Sequence, residues 1–307
     1  MENTKKVDMT VDIAGIRLKN PVMTSSGTCG YGRDYLDIWS PAELGAIMVK
    51  AVSIEPRNGN PPPRIAEIPS GVLNSIGLQN PGVRHFIETD LPWLKSIGAT
   101  VIVNVVGYTA DDYAACVELL DETDADMIEL NISCPNVAGK PIGADAKATE
   151  TLTNQIRNIT KKPIIIKLSP NVTSITEIAL AAEAGGADAV SLINCPMGMR
   201  ININTRKPML ANITGGMSGP AVFPLALRMV WQTANAVNIS VIGGGGIVKW
   251  EDAVEMMMAG ADAVFIGAGL FYDPASPLKV IEGLEKYCCD NNLSNVNMIT
   301  DSLITDR

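Results

Sequence analysis

The segment 128-IELNISCPN-136 places a thiol, Cys134, between two amides, Asn131 and Asn136, at the end of an apolar run. A free cysteine is most often a small buried hydrophobe. Here Pro135 forbids the run from continuing as helix or strand and leaves the thiol on a loop. A loop thiol can act as a general base, because its ordinary pKa of about 8.5 lies close to neutrality and a modest lowering suffices. Lys50 and Lys167 interrupt two other apolar runs, IMVKA and IIIKL. An ammonium there must meet solvent or an anion, since an unpaired buried charge is prohibitively costly. Three roles remain open for these lysines. They are pairing with a core carboxylate, for which Glu129 is a candidate, stabilising negative charge on a reduced flavin ring, and a Schiff base at Lys167.

Two glycine clusters add a phosphate-binding character. The runs 243-GGGG-246 and 267-GAG-269 each follow an apolar run. Such turns let backbone N–H groups approach a phosphate closely. The dinucleotide pattern G-x-G-x-x-G followed by an acidic residue is missing, so a mononucleotide fits better, with FMN expected in a barrel. Asn74, Asn104, Asn131, Asn136 and Asn194 offer donors and acceptors without charge. Singly each reads as a loop cap; gathered at one face they would suit a cyclic imide or amide ligand.

The elements that must position these groups are regular. Eight short apolar runs occur at 22-VMTSS, 46-AIMVKAVS, 100-TVIVNVVG, 127-MIELNISC, 163-PIIIKLSP, 189-AVSLINCP, 240-SVIGGGG and 263-AVFIGAG. They are continuous rather than alternating, as parallel strands covered on both faces must be. Helical patterns fall between them at 111–121, 146–159, 175–184 and 251–259. The turn GADAV recurs at 186–190 and 260–264, with glycine stopping the helix. Eight strand–helix units predict an α/β protein with a (β/α)8 TIM barrel spanning residues 1–307 as a single domain. An N-terminal hairpin, 11-VDIAGIRL-18, is expected across the barrel bottom. Two long insertions follow the second and sixth strands, where active-site loops are built. In this arrangement every strand delivers small or polar groups to one face: Ser25, Ser26 and Gly27; Lys50; Asn104; Asn131 and Cys134; Lys167; Asn194 and Cys195; and the two glycine clusters. The polar end, 290-DNNLSNVNMITDSLITDR, is expected to be a surface tail with at most a weak terminal helix.

Bulk properties exclude several classes. The chain has 307 residues, 47% hydrophobic, with a net charge of −9 and no basic stripe, so nucleic-acid binding is not expected. Six cysteines at 29, 116, 134, 195, 288 and 289 form no C-x-x-C pair, and His85 is the lone histidine, so no metal site is expected. The scattered thiols fit a reduced, cytoplasmic protein. The start, MENTKKVDMTVD, lacks the apolar stretch of a signal peptide, and the apolar runs are too short to span a membrane.

NISCPN together with LNSIGLQNPG, VKLSPNV, ANITGGMSGPA and the strand-seven glycines resembles the dihydroorotate dehydrogenase family, from about Val11 to about Gly283. It resembles most the catalytic FMN subunit of the NAD-linked class, class 1B. The resemblance implies that Cys134 takes the proton from C5 of dihydroorotate while hydride passes from C6 to FMN, giving orotate for pyrimidine biosynthesis. It implies catalytic roles for Lys50 and Lys167 as well. Contacts to FMN are implied for Ser26, Gly27, Lys50, Ala51, Asn104, Asn131, Lys167, Ile193, Gly219, Gly245, Gly246, Gly267 and Ala268. Substrate contacts are implied for Lys50, Asn74, Ser75, Ile76, Gly77, Leu78, Asn131, Asn136, Asn194 and Cys195. Electrons would leave through a partner subunit carrying FAD and a [2Fe–2S] cluster, in a heterotetramer built on a homodimer of this chain. Two positions depart from the class: Cys195 stands where Thr is usual, and Gly244 where a larger residue is usual. Related FMN enzymes acting on other dihydropyrimidines, such as dihydrouracil, share the thiol and amides and form the alternative, with a Schiff-base lyase using Lys167 behind it.

Overall fold

The computed structural model describes residues 7–133 and 141–305. Cys134 and Asn136 lie outside the described residues. The strands in chain order are β1 (Val11–Ile13), β2 (Ile16–Leu18), β3 (Val22–Thr24), β4 (Ile47–Met48), β5 (Ile65–Ile68), β6 (Gly71–Asn74), β7 (Val101–Val105) and β8 (Met127–Asn131). They continue as β9 (Ile164–Lys167), β10 (Ala189–Leu192), β11 (Met197–Met199), β12 (Ile201–Asn202), β13 (Lys207–Pro208), β14 (Thr214–Ser218), β15 (Ser240–Gly244) and β16 (Ala263–Ile266). Eight of these form one parallel sheet in the order β3-β16-β15-β10-β9-β8-β7-β4. A parallel bridge between Met23 and Ala46 joins its two ends, closing a (β/α)8 barrel. Every residue of β7, β8, β9, β10 and β16 is buried, which is why those runs show no polar alternation.

Helices cover the outside. Helix α1 (Val83–His85) passes through a π-turn, Phe86–Asp90, into α2 (Leu91–Ser96). Pro92 lacks the N–H a regular helix would need there, and the widened turn accommodates it. Next come α3 (Ala110–Asp121), α4 (Ala146–Arg157) and α5 (Ile175–Ala184), then α6 (Phe223–Ala234), α7 (Trp250–Met258), α8 (Gly269–Tyr272) and α9 (Ser276–Asp290). Helix α4 buries Thr149, Leu152, Thr153 and Ile156, the three-and-four spacing of one face. Three starts are capped by side chains: Thr109 and Asp112 form a capping box on α3, Asp145 caps α4 and Ser174 caps α5.

The repeated GADAV turn has a physical basis at both ends. Gly186 and Gly260 adopt φ of 94° and 106°, which a side chain would strain. The aspartate that follows turns back on the barrel bottom: Asp188 accepts from the Ile164 N–H and Asp262 from the Val241 N–H. Asp126 does the same for Val101. Each carboxylate thus satisfies the opening N–H of a preceding strand. Helices α7 and α9 pack through a second glycine. A Cβ on Gly283 would lie 2.1 Å from Trp250 Cγ, so Gly283→Ala is expected to lower unfolding stability by about 1–3 kcal/mol, read as a reduced denaturation midpoint.

The hairpin β1–β2 docks at the bottom as expected, with the Ala14 N–H donating to Ser240 Oγ at the start of β15. The chain end differs from the expected surface tail. Val296 and Ile299 are fully buried in a 3-10 turn, and the Val296 N–H donates to the Asp8 carbonyl. Two apolar residues three apart suffice to anchor a segment that is otherwise polar.

Both insertions rise from the C-terminal face, after β4 and β10, and they combine. Strands β11, β14, β6 and β5 form one antiparallel sheet, with Gly216 opposite Asn74 and Met217 opposite Leu73. Ala66, Leu73 and Leu210 give this sheet a small core of its own.

Candidate functional site

A cavity of about 700 Å³ lies between the C-terminal ends of the barrel strands and the insertion sheet. Its lining contains nearly all the residues expected to converge. Ser26, Gly27, Lys50, Ala51, Asn131, Lys167, Ile193, Gly219, Gly245, Gly246, Gly267 and Ala268 line one part of it. Asn74, Ser75, Ile76, Gly77, Leu78, Asn194 and Cys195 line the part beneath the insertion sheet. Asn104 is an exception: it is fully buried behind the wall, donating Nδ2 to Glu129 Oε1. Its Oδ1 has no hydrogen-bond partner among the described residues.

The glycine turns are built for close approach. Gly219, Gly245 and Gly246 have φ of 103°, 127° and 83°. A Cβ on Gly246 would sit 2.7 Å from the Phe223 backbone nitrogen, and one on Gly219 would sit 2.7 Å from Gly71 Cα. The N–H groups of Gly245 and Gly246 find no acceptor among the described residues. Exposed, unsatisfied N–H groups at a concave turn form an anion-binding surface.

The two lysines differ in setting. Lys167 ends β9 and is 3% exposed; its Nζ lies 3.7 Å from Glu129 Oε2 and 3.6 Å from the centre of the Phe265 ring. Burial pushes its pKa down, and the Glu129 carboxylate opposes that. The core partner expected for one lysine is therefore present, and the same ammonium still reaches the cavity. Lys50 follows β4 and has no carboxylate within 4 Å among the described residues. Burial lowers its pKa too. A half-buried cation without a partner marks a place for an anionic ligand.

The amides form a linked set. Asn194 Nδ2 donates to Asn131 Oδ1 at 3.2 Å and to Ser133 Oγ at 2.6 Å, while Ser133 Oγ donates to Asn131 Oδ1 at 2.6 Å. Asn74 Nδ2 donates to the Gly216 carbonyl at 3.2 Å and lies 3.9 Å from Cys195 Sγ. Burial raises the Cys195 pKa, so at neutral pH it presents a neutral thiol. Tyr113, fully buried, donates its hydroxyl to the Asn131 carbonyl at 2.7 Å and holds the end of β8 in place.

Sequence reasoning missed Ser133, which sits beside Cys134 in the same NISC run and could have been flagged there. It also missed Asn171, in the KLSPNV turn after β9. The Asn171 side chain donates to the Cys195 carbonyl and accepts from the Met197 N–H, both at 3.0 Å, tying that turn to the start of the second insertion. Its polar neighbours gave no periodic signal.

The dihydroorotate dehydrogenase family model matches residues 8–288. The chain is 51% identical over 300 residues to the dihydroorotate dehydrogenase B (NAD(+)) catalytic subunit of Alkaliphilus metalliredigens, covering 97% of this chain and 99% of that protein. It is 50% identical over 299 residues to the equally named protein of Bacteroides thetaiotaomicron, covering 96% and 99%. The fold is similar to a crystal structure of DHODH from Eimeria tenella in complex with ferulenol, with a TM-score of 0.80 at 19% identity, over 98% of this chain and 90% of that one. With the family model spanning most of the barrel, and relatives half identical from end to end, this chain belongs to the dihydroorotate dehydrogenase family.

Proposed function

We propose that the chain oxidises (S)-dihydroorotate to orotate for pyrimidine biosynthesis, as the FMN-binding catalytic subunit of an NAD-linked enzyme. One observation carries this reading: Lys50 and a glycine cradle, both without a partner among the described residues, share one cavity at the strand ends with a linked amide set. Each group answers a different part of the two ligands. The cradle of Gly219, Gly245, Gly246 and Gly267 suits the FMN phosphate. Ser26, Ala51, Ile193 and Ala268 would help hold the cofactor, and Lys167 would stabilise the negative charge that develops on its ring. Bound FMN supplies the acceptor for the hydride that leaves C6 of dihydroorotate.

The substrate end is the chain's own work. Lys50 attracts the carboxylate, and Asn74, Asn131 and Asn194 match the alternating N–H and C=O groups of the pyrimidine ring. Holding the substrate ring in a fixed position converts an encounter into a positioned reaction. Cys134, three residues beyond Asn131, takes the C5 proton as thiolate. Asn136 is proposed as a further substrate contact. The 74-NSIGL-78 segment, held to β14 by the insertion sheet, closes the substrate end.

Electrons then pass to NAD+ through a partner subunit carrying FAD and a [2Fe–2S] cluster, in a heterotetramer around a homodimer of this chain. Apolar Ile201, Ile203 and Ile213 are exposed on the second insertion, a surface that assembly would cover. Among the described residues no helix is long and apolar enough to cross a membrane, and a cytoplasmic location is part of the proposal.

The test is an anaerobic visible spectrum of the purified chain before and after dihydroorotate. A yellow protein that bleaches on addition is expected. A colourless protein, or one whose flavin ignores dihydroorotate, would overturn the reading.

A further inference from the structure

Glu129 is a fully buried carboxylate in the middle of β8, and no step above uses it. Side chains from three other strands converge on it. Asn104, its ladder partner on β7, donates Nδ2 to Oε1. Ser191 on β10 donates its hydroxyl to Oε2. Lys167 on β9 brings its ammonium to 3.7 Å from Oε2, too long for a direct hydrogen bond but close enough for an ion pair. The two neutral donors fill both carboxylate oxygens, so the carboxylate is fixed in place without its charge being cancelled. Lys167 is the reverse case: its Nζ has no hydrogen-bond acceptor among the described residues and lines the cavity. The groups that bear on it are Glu129 from below, the Phe265 ring from β16 and the neutral Cys195 thiol after β10.

We infer that Glu129 is a positioning residue: anchored by Asn104 and Ser191 at ion-pair distance from Nζ, it keeps Lys167 a cation aimed into the cavity, facing the bound flavin. This rests on the FMN reading given above. The physical case is that a lysine buried this deeply, left alone, sheds its proton, whereas a carboxylate held at ion-pair distance favours the charged form. The anchored carboxylate cannot swing away, because Asn104 and Ser191 hold it from opposite sides.

The test is FMN binding to the apoprotein, followed by quenching of FMN fluorescence between about pH 5 and about pH 9, a window that takes in the pKa of about 5–6 reached by deeply buried lysines. Wild type is expected to bind with a Kd that this lysine does not bend. In Glu129→Gln the lysine pKa falls, so the ammonium is present below that pKa and lost above it. FMN Kd should then rise by about 10-fold or more across the range, relative to wild type, the worth of one charge-assisted hydrogen bond. Glu129→Asp, which retracts the charge by one methylene, gives an intermediate bend and carries the test if the Gln variant does not fold. Combining Glu129→Gln with Lys167→Met removes both charges and should abolish the bend, which a merely structural role for Glu129 would not do. Variant profiles that match wild type, or a bend that survives in the double variant, overturn the inference while leaving the FMN reading intact. Wild type that binds no FMN sinks both.

Discussion

Cys134→Ala is expected to keep its FMN and stay yellow while flavin reduction by dihydroorotate slows by about 10²–10⁴, the usual contribution of a positioned general base. Stopped-flow absorbance under anaerobic conditions reads this directly, because the flavin reports its own reduction. The direction with pH follows from the role. A base must first lose its own proton, so the wild-type rate should climb as pH rises toward the thiol pKa and then level off. The variant should lose that climb. Cys195 cannot substitute for the missing thiol: burial raises its pKa and keeps it neutral where the wild type already works. Because Cys195 lines the cavity, alkylation alone cannot assign the base. Unchanged reduction rates in Cys134→Ala would remove this residue from the mechanism.

The barrel was legible because its physics is repetitive. Strands buried on both faces must be continuously apolar, and eight such runs appear in order. The polar groups at their ends were legible because a lysine or asparagine inside an apolar run has few bland explanations. The joining of the two insertions was not legible. Strand β14, with Gly215 and Gly216 beside Thr214, has no apolar alternation, and its pairing with β6 spans more than a hundred residues. Ser218 lies opposite Val72 only because β5 and β6 already form a hairpin to dock on. Asn104 shows the limit of reading strand ends. It was placed at the cavity wall, yet ladder register puts it opposite Glu129, a layer deeper than Lys167, whose own ladder partner is Asn131. Register is a property of paired strands, and one strand's sequence cannot disclose it. The same holds for the docked C-terminus, where the chain's two ends satisfy each other's backbone.

Lys50→Ala is expected to lower kcat/KM for dihydroorotate by about 10²-fold or more, the range for removing one member of a charge pair formed in a partly desolvated site. Among the described residues no carboxylate lies within 4 Å of this ammonium, so the ligand's carboxylate is the partner it awaits. Burial already depresses its pKa, through desolvation first. Capture of the anion should therefore weaken as pH rises through that lowered pKa, and the bound carboxylate should in turn lift the pKa back. The comparison that isolates the carboxylate is dihydrouracil, which lacks it. If Lys50 recognises that group, the substitution costs dihydroorotate far more than dihydrouracil, and wild type strongly prefers the former. Equal losses on both substrates would show that Lys50 acts through FMN alone. Wild type that turns over dihydrouracil as well as dihydroorotate would move the assignment to another dihydropyrimidine. Lys50→Arg keeps the charge but replaces a compact ammonium with a wider planar fork. Partial recovery there, with tighter dihydroorotate binding than in Lys50→Ala, would confirm that the lysine's charge does the recognition and its shape sets the rate.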